Sequence, residues 1–185
     1  CFCYVLASET VCNTISDFWK KHISTPDCDS KVKLACKKAS CAIDQKAFEL
    51  HHAEMGATMV MVSIEGDKAT IAHVGDSRCY LLRQGEGFLY QTEDHVRIDF
   101  GWKIVSRCFF SYRPEAAVPD IRQFAIQKGD RILLCSDGLY KSMSPGILQA
   151  RMLDDKPLED ILDVFDFLCQ KQGDDNYMAI LIEIE

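Results

Sequence analysis

Apolar runs long enough to cross a bilayer are absent: stretches such as Met59–Ile64 and Ile132–Cys135 are far too short, so no membrane segment is expected. Clustered positive charge is absent as well. No basic run exceeds a pair and the net charge is −7, which excludes nucleic acid as the main partner, because neutralising phosphates takes grouped Lys and Arg. The opening Cys1-Phe2-Cys3-Tyr4-Val5 lacks the basic segment of a secretion signal and reads as a strand. Also missing, despite ten cysteines, is any CxxC pair, and no cysteine spacing matches a zinc site. Cys36 and Cys135 fall at apolar positions of a helix and a strand, where a thiol behaves as a small hydrophobe. The set reads as reduced thiols, which points to a reducing, cytoplasmic compartment.

What is present is an ordinary globular balance, 48% hydrophobic and 26% charged, which argues against disorder. A length of 185 residues suits a single domain, 1–185, with its own core. Leu6–His22 reads as a helix with Leu6, Thr10, Val11, Ile15, Phe18 and Trp19 on one face. A second helix beyond Pro26, capped by Asp29 or Ser30, carries Val32, Ala35, Cys36, Ala39, Ile43 and Ala47 as its stripe. From Met59 the period becomes that of strands. Met59–Ile64, Lys68–Val74, Arg78–Arg83 and Phe88–Gln91 predict an antiparallel meander, and Ile121–Ile126 with Arg131–Ser136 a further hairpin. Ser144-Pro145 opens a short helix, Leu158–Gln172 forms a longer one stopped by Gly173, and Tyr177–Ile184 closes the chain as a strand. This order is α+β, not alternating βαβ. A four-layer αββα sandwich, two mainly antiparallel β-sheets flanked by helix pairs, would bury both helix stripes.

Three acidic turns adjoin these strands: Gly75-Asp76-Ser77-Arg78, Ser136-Asp137-Gly138 and Asp174-Asp175-Asn176. A carboxylate at the tip of a buried strand is a rigidly placed oxygen ligand, and several such tips at one sheet edge suit a hard divalent cation such as Mg²⁺ or Mn²⁺.

Met55-Gly56-Ala57-Thr58, Ala72-His73-Val74-Gly75-Asp76-Ser77-Arg78, Gln91-Thr92-Glu93-Asp94-His95, Gly129–Leu139 with its Ser136-Asp137-Gly138-Leu139, and Asp175-Asn176 carry a resemblance. Together they resemble the metal-dependent protein phosphatases of the 2C type, in a bacterial-like form, covering most of the chain from residue 55 onward in the family's order. The resemblance implies the αββα sandwich and hydrolysis of phosphoserine and phosphothreonine in phosphoprotein substrates. It implies two Mg²⁺ or Mn²⁺ ions and a metal-activated water as the attacking group. Carried over residue by residue, Asp137 and Asp175 match catalytic metal ligands. Asp76 matches a weaker ligand associated with a third ion, and Gly138 and Asn176 are their supporting neighbours. Such chemistry needs no covalent phosphoenzyme, and the Cys-x₅-Arg loop of cysteine phosphatases is absent.

Several features depart from the family pattern. A metal-bridging Asp-Gly-x-Gly-Gly loop is expected after a strand like Cys1–Val5 and before a helix like Leu6–His22, yet Val5 runs straight into Leu6. The preceding strand with its phosphate-binding Arg is also missing. Either the chain is an inactive phosphatase-like module binding a protein partner or phosphopeptide, or loop residues are omitted from the sequence; the abrupt junction favours omission. Lys141 stands where many members place an Asp, and its ammonium would compete with a cation, which argues against a third metal. Among the histidines, His51 and His52 read as the exposed end of a helix, His73 as core or sheet-facing, and His95 as without chemistry. Phe109, Phe110 and Tyr112 read as packing residues.

Overall fold

The computed structural model describes residues 2–22, 28–51, 53–172 and 175–185. Pro26, His52, Gly173 and Asp174, on which expectations rested, lie outside the described residues. The chain divides into two compact units. The first comprises Cys1–Met59, Ala72–Gly75 and His95–Arg122; the second comprises Val60–Ile71, Asp76–Asp94 and Gln123–Glu185.

In the first unit, α1 (Phe2–Lys21) and α2 (Cys28–Glu49) pack on each other. Ala7, Val11, Ile15 and Phe18 recur at helical spacing as the buried stripe of α1, and Val32, Ala35, Cys36, Ala39, Ile43 and Ala47 as that of α2. The same unit holds the short ribbon of β1 (Gly56–Ala57) with β8 (Phe109–Phe110) and the hairpin of β6 (Val96–Asp99) with β7 (Trp102–Val105). The strand expected at Cys1–Val5 is not there. Residues 2–5 are the first turn of α1, with Cys3 half-buried one turn before Ala7 and with Tyr4 and Val5 exposed. A helical stripe spanning most of the segment overrides the strand propensity of a few residues. The Val5–Leu6 junction, where a connecting loop was expected, therefore lies inside a continuous helix. There Ser8 and Thr10 donate hydroxyl hydrogen bonds back to the carbonyls of Val5 and Leu6.

The strands β2 (Met59–Glu65), β3 (Lys68–Val74) and β9 (Asp120–Ala125) form one sheet in the order β2-β3-β9. A second sheet, β11-β10-β4-β5, takes β4 (Arg78–Arg83), β5 (Gly87–Gln91), β10 (Arg131–Cys135) and β11 (Ala179–Glu183), all antiparallel. The predicted meander is thus two pairs in two sheets, with the chain changing sheet at the Gly75–Ser77 turn. The predicted hairpin of Ile121–Ile126 with Arg131–Ser136 is likewise absent, since β9 lies beside β3 whereas β10 lies between β4 and β11.

Apolar pattern explains the two-sheet outcome. Cys79-Tyr80-Leu81-Leu82 and Ile132-Leu133-Leu134-Cys135 are continuous apolar runs, the signature of strands covered on both faces. One face, through Leu82, Leu133 and Leu181, packs on Leu139 of α3 (Asp137–Lys141), Leu148 and Met152 of α4 (Pro145–Met152), and Ile161, Phe165 and Cys169 of α5 (Leu158–Gln172). The other, through Cys79, Leu81 and Ile132, packs on Ala69, Ile71 and Ile126. The link between β9 and β10 is pinned by Asp130, a fully buried carboxylate held by Arg83 at 2.7 and 2.8 Å and by the Gln127 amide at 2.9 Å. Burial pushes the Asp130 pKa up, but these hydrogen bonds outweigh it and hold it below the usual carboxylate range. Ser144 caps α4 as its sequence implied, its hydroxyl oxygen accepting from the Ile147 amide with Pro145 in the first turn. Such a cap is worth about 1 kcal/mol.

Candidate functional site

Asp76, Asp137 and Asp175 all lie near the same end of the four-stranded sheet. In the ladder, Cys135 faces Arg78 on one side and Ala179 on the other. Asp137, two residues past Cys135, and Asp76, two before Arg78, therefore both lie just beyond this end of the β10–β4 pair, and Asp175 precedes β11 at the same end. One further rung ties the loops together: the Ser136 amide donates to the Met178 carbonyl at 3.1 Å and the Met178 amide donates to the Ser136 hydroxyl oxygen at 2.9 Å. Asp137 itself opens α3.

Gly138 explains how the second and third turns approach so closely. A Cβ at this position would lie 2.3 Å from the carbonyl oxygen of Asn176 and 2.9 Å from its carbonyl carbon. Backbone cannot give way as a side chain can, so only glycine lets the start of α3 rest on the Asn176 carbonyl. Asn176 supports Asp175 through its backbone, the amide donating to Asp175 Oδ1 at 2.8 Å. The Asp175 and Asn176 side chains are exposed, whereas Asp76 and Asp137 are half-buried.

The Asp76 turn is held by a network that the sequence did not announce. Tyr140 of α3 donates its hydroxyl to the Asp76 carbonyl at 3.0 Å, and its ring faces the Arg78 guanidinium at 3.6 Å. Arg78 in turn forks onto both oxygens of Asp94 at 2.7 and 2.8 Å and reaches the Tyr80 hydroxyl at 3.1 Å. Arg78, although in the Asp76 turn, thus pairs with Asp94, which gives the Gln91–His95 motif a structural duty. In that motif Thr92 also pairs with Cys79, its hydroxyl oxygen accepting the Cys79 amide.

Negative charge is gathered at this end of the sheet. Burial raises the pKa of the Asp76 carboxyl, and the neighbouring Asp137 charge raises it further, against a partial offset from Lys141. Lys141 sits one turn along α3 with Nζ 2.5 Å from Asp137 Oδ2. Its ammonium is held protonated first by that hydrogen bond and then by the charges of Asp137, Asp76 and Asp175.

A different cluster lies in the first unit. His73, His95 and Asp120 place one potential ligand atom each within 4.8 Å of one another. The two buried rings stack with centroids 4.3 Å apart, His95 Nε2 stands 3.3 Å from Asp120 Oδ2, and Arg107 holds the other Asp120 oxygen at 2.8 Å. Hydrogen bonding argues against a metal there. The Gly75 amide donates to His95 Nδ1 at 3.1 Å, so in the neutral ring the proton is on Nε2, facing Asp120, and no lone pair is left for an ion. The His95 backbone amide also donates to the Gly75 carbonyl at 2.9 Å, so this residue clamps, through ring and backbone, a glycine whose φ is +112°.

Burial lowers the His95 pKa, the nearby His73 and Arg107 act in the same direction, and Asp120 opposes them. A histidine with a depressed folded-state pKa contributes stability fully above its unfolded value near 6.5 and loses it as pH falls toward the folded one. The melting temperature should therefore drop between pH 7 and pH 5.5. His95→Asn, which keeps an acceptor for the Gly75 amide but does not titrate, should show a smaller drop in the same scan.

Comparison with known proteins agrees with this architecture. The family described as Protein phosphatase 2C matches residues 4–97. The serine/threonine protein phosphatase PstP of Mycobacterium tuberculosis is 25% identical over 171 residues, covering 84% of this chain and 33% of the relative. The chain thus spans about a third of that relative's length. The serine/threonine phosphatase Stp of Listeria innocua is 25% identical over 198 residues, covering 96% of this chain and 78% of the relative. Among solved structures, the PstP catalytic domain in complex with two manganese ions superposes with a TM-score of 0.77 at 22% identity, covering 95% of this chain and 79% of that one. The fold is shared with that structure, and the matched segment contains the Gly75-Asp76-Ser77-Arg78 turn that changes sheet. This chain belongs to the protein phosphatase 2C family.

Proposed function

We propose that this chain is a metal-dependent phosphoserine/phosphothreonine protein phosphatase, working in the cytoplasm as one catalytic domain over residues 1–185 on a phosphoprotein substrate. The observation that supports this reading is that Asp76, Asp137 and Asp175 all lie in the chain just beyond one end of the β11-β10-β4-β5 sheet. Among the described residues, no helix is long and apolar enough to cross a membrane.

The donor types suit a hard divalent cation, while among the described residues the group of three potential ligands already within 4.8 Å of one another is His73, His95 and Asp120. The Asp76, Asp137 and Asp175 side chains all offer carboxylate oxygens, the kind Mg²⁺ and Mn²⁺ take. A cationic group, the Lys141 ammonium, is already drawn to Asp137, and Asp76, whose pKa is raised first by burial and then by the Asp137 charge, would have the second of these offset by a divalent ion. Asp137 and Asp175 would hold two Mg²⁺ or Mn²⁺ ions, with Asp76 a weaker contributor and the Lys141 charge opposing a third. When bound, such ions supply a water that ionises near neutral pH and neutralise the oxygens of the phosphoryl group.

The protein's own contribution is placement. Gly138 sets the spacing of Asp137 from Asp175, the Ser136–Met178 rung fixes their common edge, and Tyr140 holds the Asp76 turn to α3. Phosphate release from a phosphothreonine peptide tests the reading, measured with Mn²⁺ and again with excess EDTA. Turnover that requires Mn²⁺ is expected. A folded protein that binds the phosphopeptide but releases no phosphate at saturating Mn²⁺ would place the chain with inactive binding modules instead.

A further inference from the structure

A phosphoryl dianion approaching an edge of three carboxylates meets repulsion, and productive binding calls for a donor that grips its peripheral oxygens. Among the described residues, two cations act on this edge, Arg78 and Lys141. Arg78 is committed. Its fork is spent on Asp94, a third nitrogen on Tyr80 and its face on Tyr140, and its side chain is only 18% exposed. Lys141 is the opposite case: its side chain is 60% exposed, and its ammonium rests on Asp137 Oδ2.

An exposed ion pair between residues one helical turn apart is weak and readily exchanged. The ammonium carries three N–H donors on a flexible stem, so it can turn to a new oxygen without a shift of α3. A cation that takes over Asp137 would free the Lys141 ammonium beside the same acidic edge.

We propose that Lys141 is the substrate-phosphoryl donor of this site, parked on Asp137 in the resting protein and transferred to a phosphoryl oxygen when Asp137 is engaged. This rests on the phosphatase reading above and adds a substrate-binding residue to it. It also gives the lysine two effects of opposite sign. Its charge weakens metal binding at Asp137 while its donors strengthen phosphate binding. A lysine that merely paired with Asp137 on the surface would show only the first effect.

The test uses the full 185-residue chain as wild type, Lys141→Met and Lys141→Arg, each checked for fold by circular dichroism. Mn²⁺ alone is titrated by electron paramagnetic resonance. Inorganic phosphate is then titrated calorimetrically into Mn²⁺-saturated protein, and KM and kcat are measured on a phosphothreonine peptide. Lys141→Met should bind Mn²⁺ roughly threefold more tightly, because a competing positive charge is gone. It should bind phosphate about tenfold more weakly and raise KM in proportion, with kcat changed less, because a charge-assisted hydrogen bond is lost. Lys141→Arg should restore most of the phosphate binding.

Phosphate binding in Lys141→Met within about twofold of wild type would overturn the proposal, whatever happens to Mn²⁺. Should Lys141→Met misfold, Lys141→Gln gives the same readout with a polar side chain. A wild type that binds phosphate through Lys141 yet hydrolyses nothing would leave this inference standing and sink the phosphatase reading.

Discussion

Asp137→Asn is expected to cut Mn²⁺-dependent phosphate release by at least about 100-fold while leaving the fold intact. The replacement keeps the shape of the side chain and removes its charge. The half-buried carboxylate loses the interaction with a divalent ion, a difference worth several kcal/mol, and each 1.4 kcal/mol is about tenfold in rate. The structural cost is small by comparison. The one ion pair lost is the exposed contact to Lys141 along α3, worth about 0.3–0.5 kcal/mol. The backbone rung between Ser136 and Met178 is untouched. Mn²⁺ binding followed without substrate should fall in parallel with activity. Asp175→Asn should behave alike, whereas Asp76→Asn should cost several-fold at most, since Asp76 is proposed as the weaker ligand and its burial already disfavours its charge. Retained activity in Asp137→Asn, with normal Mn²⁺ affinity, would remove Asp137 from the site.

The acidic turns were legible because each adjoins an apolar run, and a carboxylate beside a buried strand has few places to go. The helix stripes were legible for the same reason of periodicity: Val32, Ala35, Cys36, Ala39, Ile43 and Ala47 are all buried as α2 requires. Pairing was harder. Lys68–Val74 and Arg78–Arg83 look like a hairpin because a Gly-Asp-Ser turn joins them, but nothing local says that Cys79-Tyr80-Leu81-Leu82 must be covered on both faces. That demand is met only by placing β4 beside β10 in another sheet. At the start of the chain, strand-like residue types concealed a helix whose stripe begins at Cys3 and Ala7. Tyr140 and Asp94 were invisible as partners of the Asp76 turn, because contacts across distant segments leave no spacing to read. The role of Gly138 was equally hidden. A glycine after an aspartate reads as a turn former, and only the neighbouring peptide shows what it is for.

That neighbour gives Gly138→Ala its expected effect. In an open helix, alanine is about 1 kcal/mol more favourable than glycine. Here the added methyl would meet the Asn176 carbonyl oxygen at 2.3 Å, and two residues on Met178 is hydrogen-bonded to Ser136 just before β11, so the peptide has little freedom to retreat. Overpacking against backbone typically costs about 1–3 kcal/mol, enough to reverse the propensity gain and lower the melting temperature by several degrees. The functional loss should be larger than the structural one. If α3 tilts away to relieve the contact, Asp137 leaves Asp175, and Mn²⁺ binding should weaken about tenfold or more even at temperatures where the protein is fully folded. Gly146→Ala is the matched control: that glycine lies within α4 with nothing within 4 Å of an added Cβ, so it should be neutral or slightly stabilising and leave Mn²⁺ binding unchanged. The contrast between two glycine-to-alanine changes in neighbouring helices separates backbone approach from helix propensity. Equal behaviour of the two variants would mean that the Gly138–Asn176 contact does not set the spacing of the acidic site.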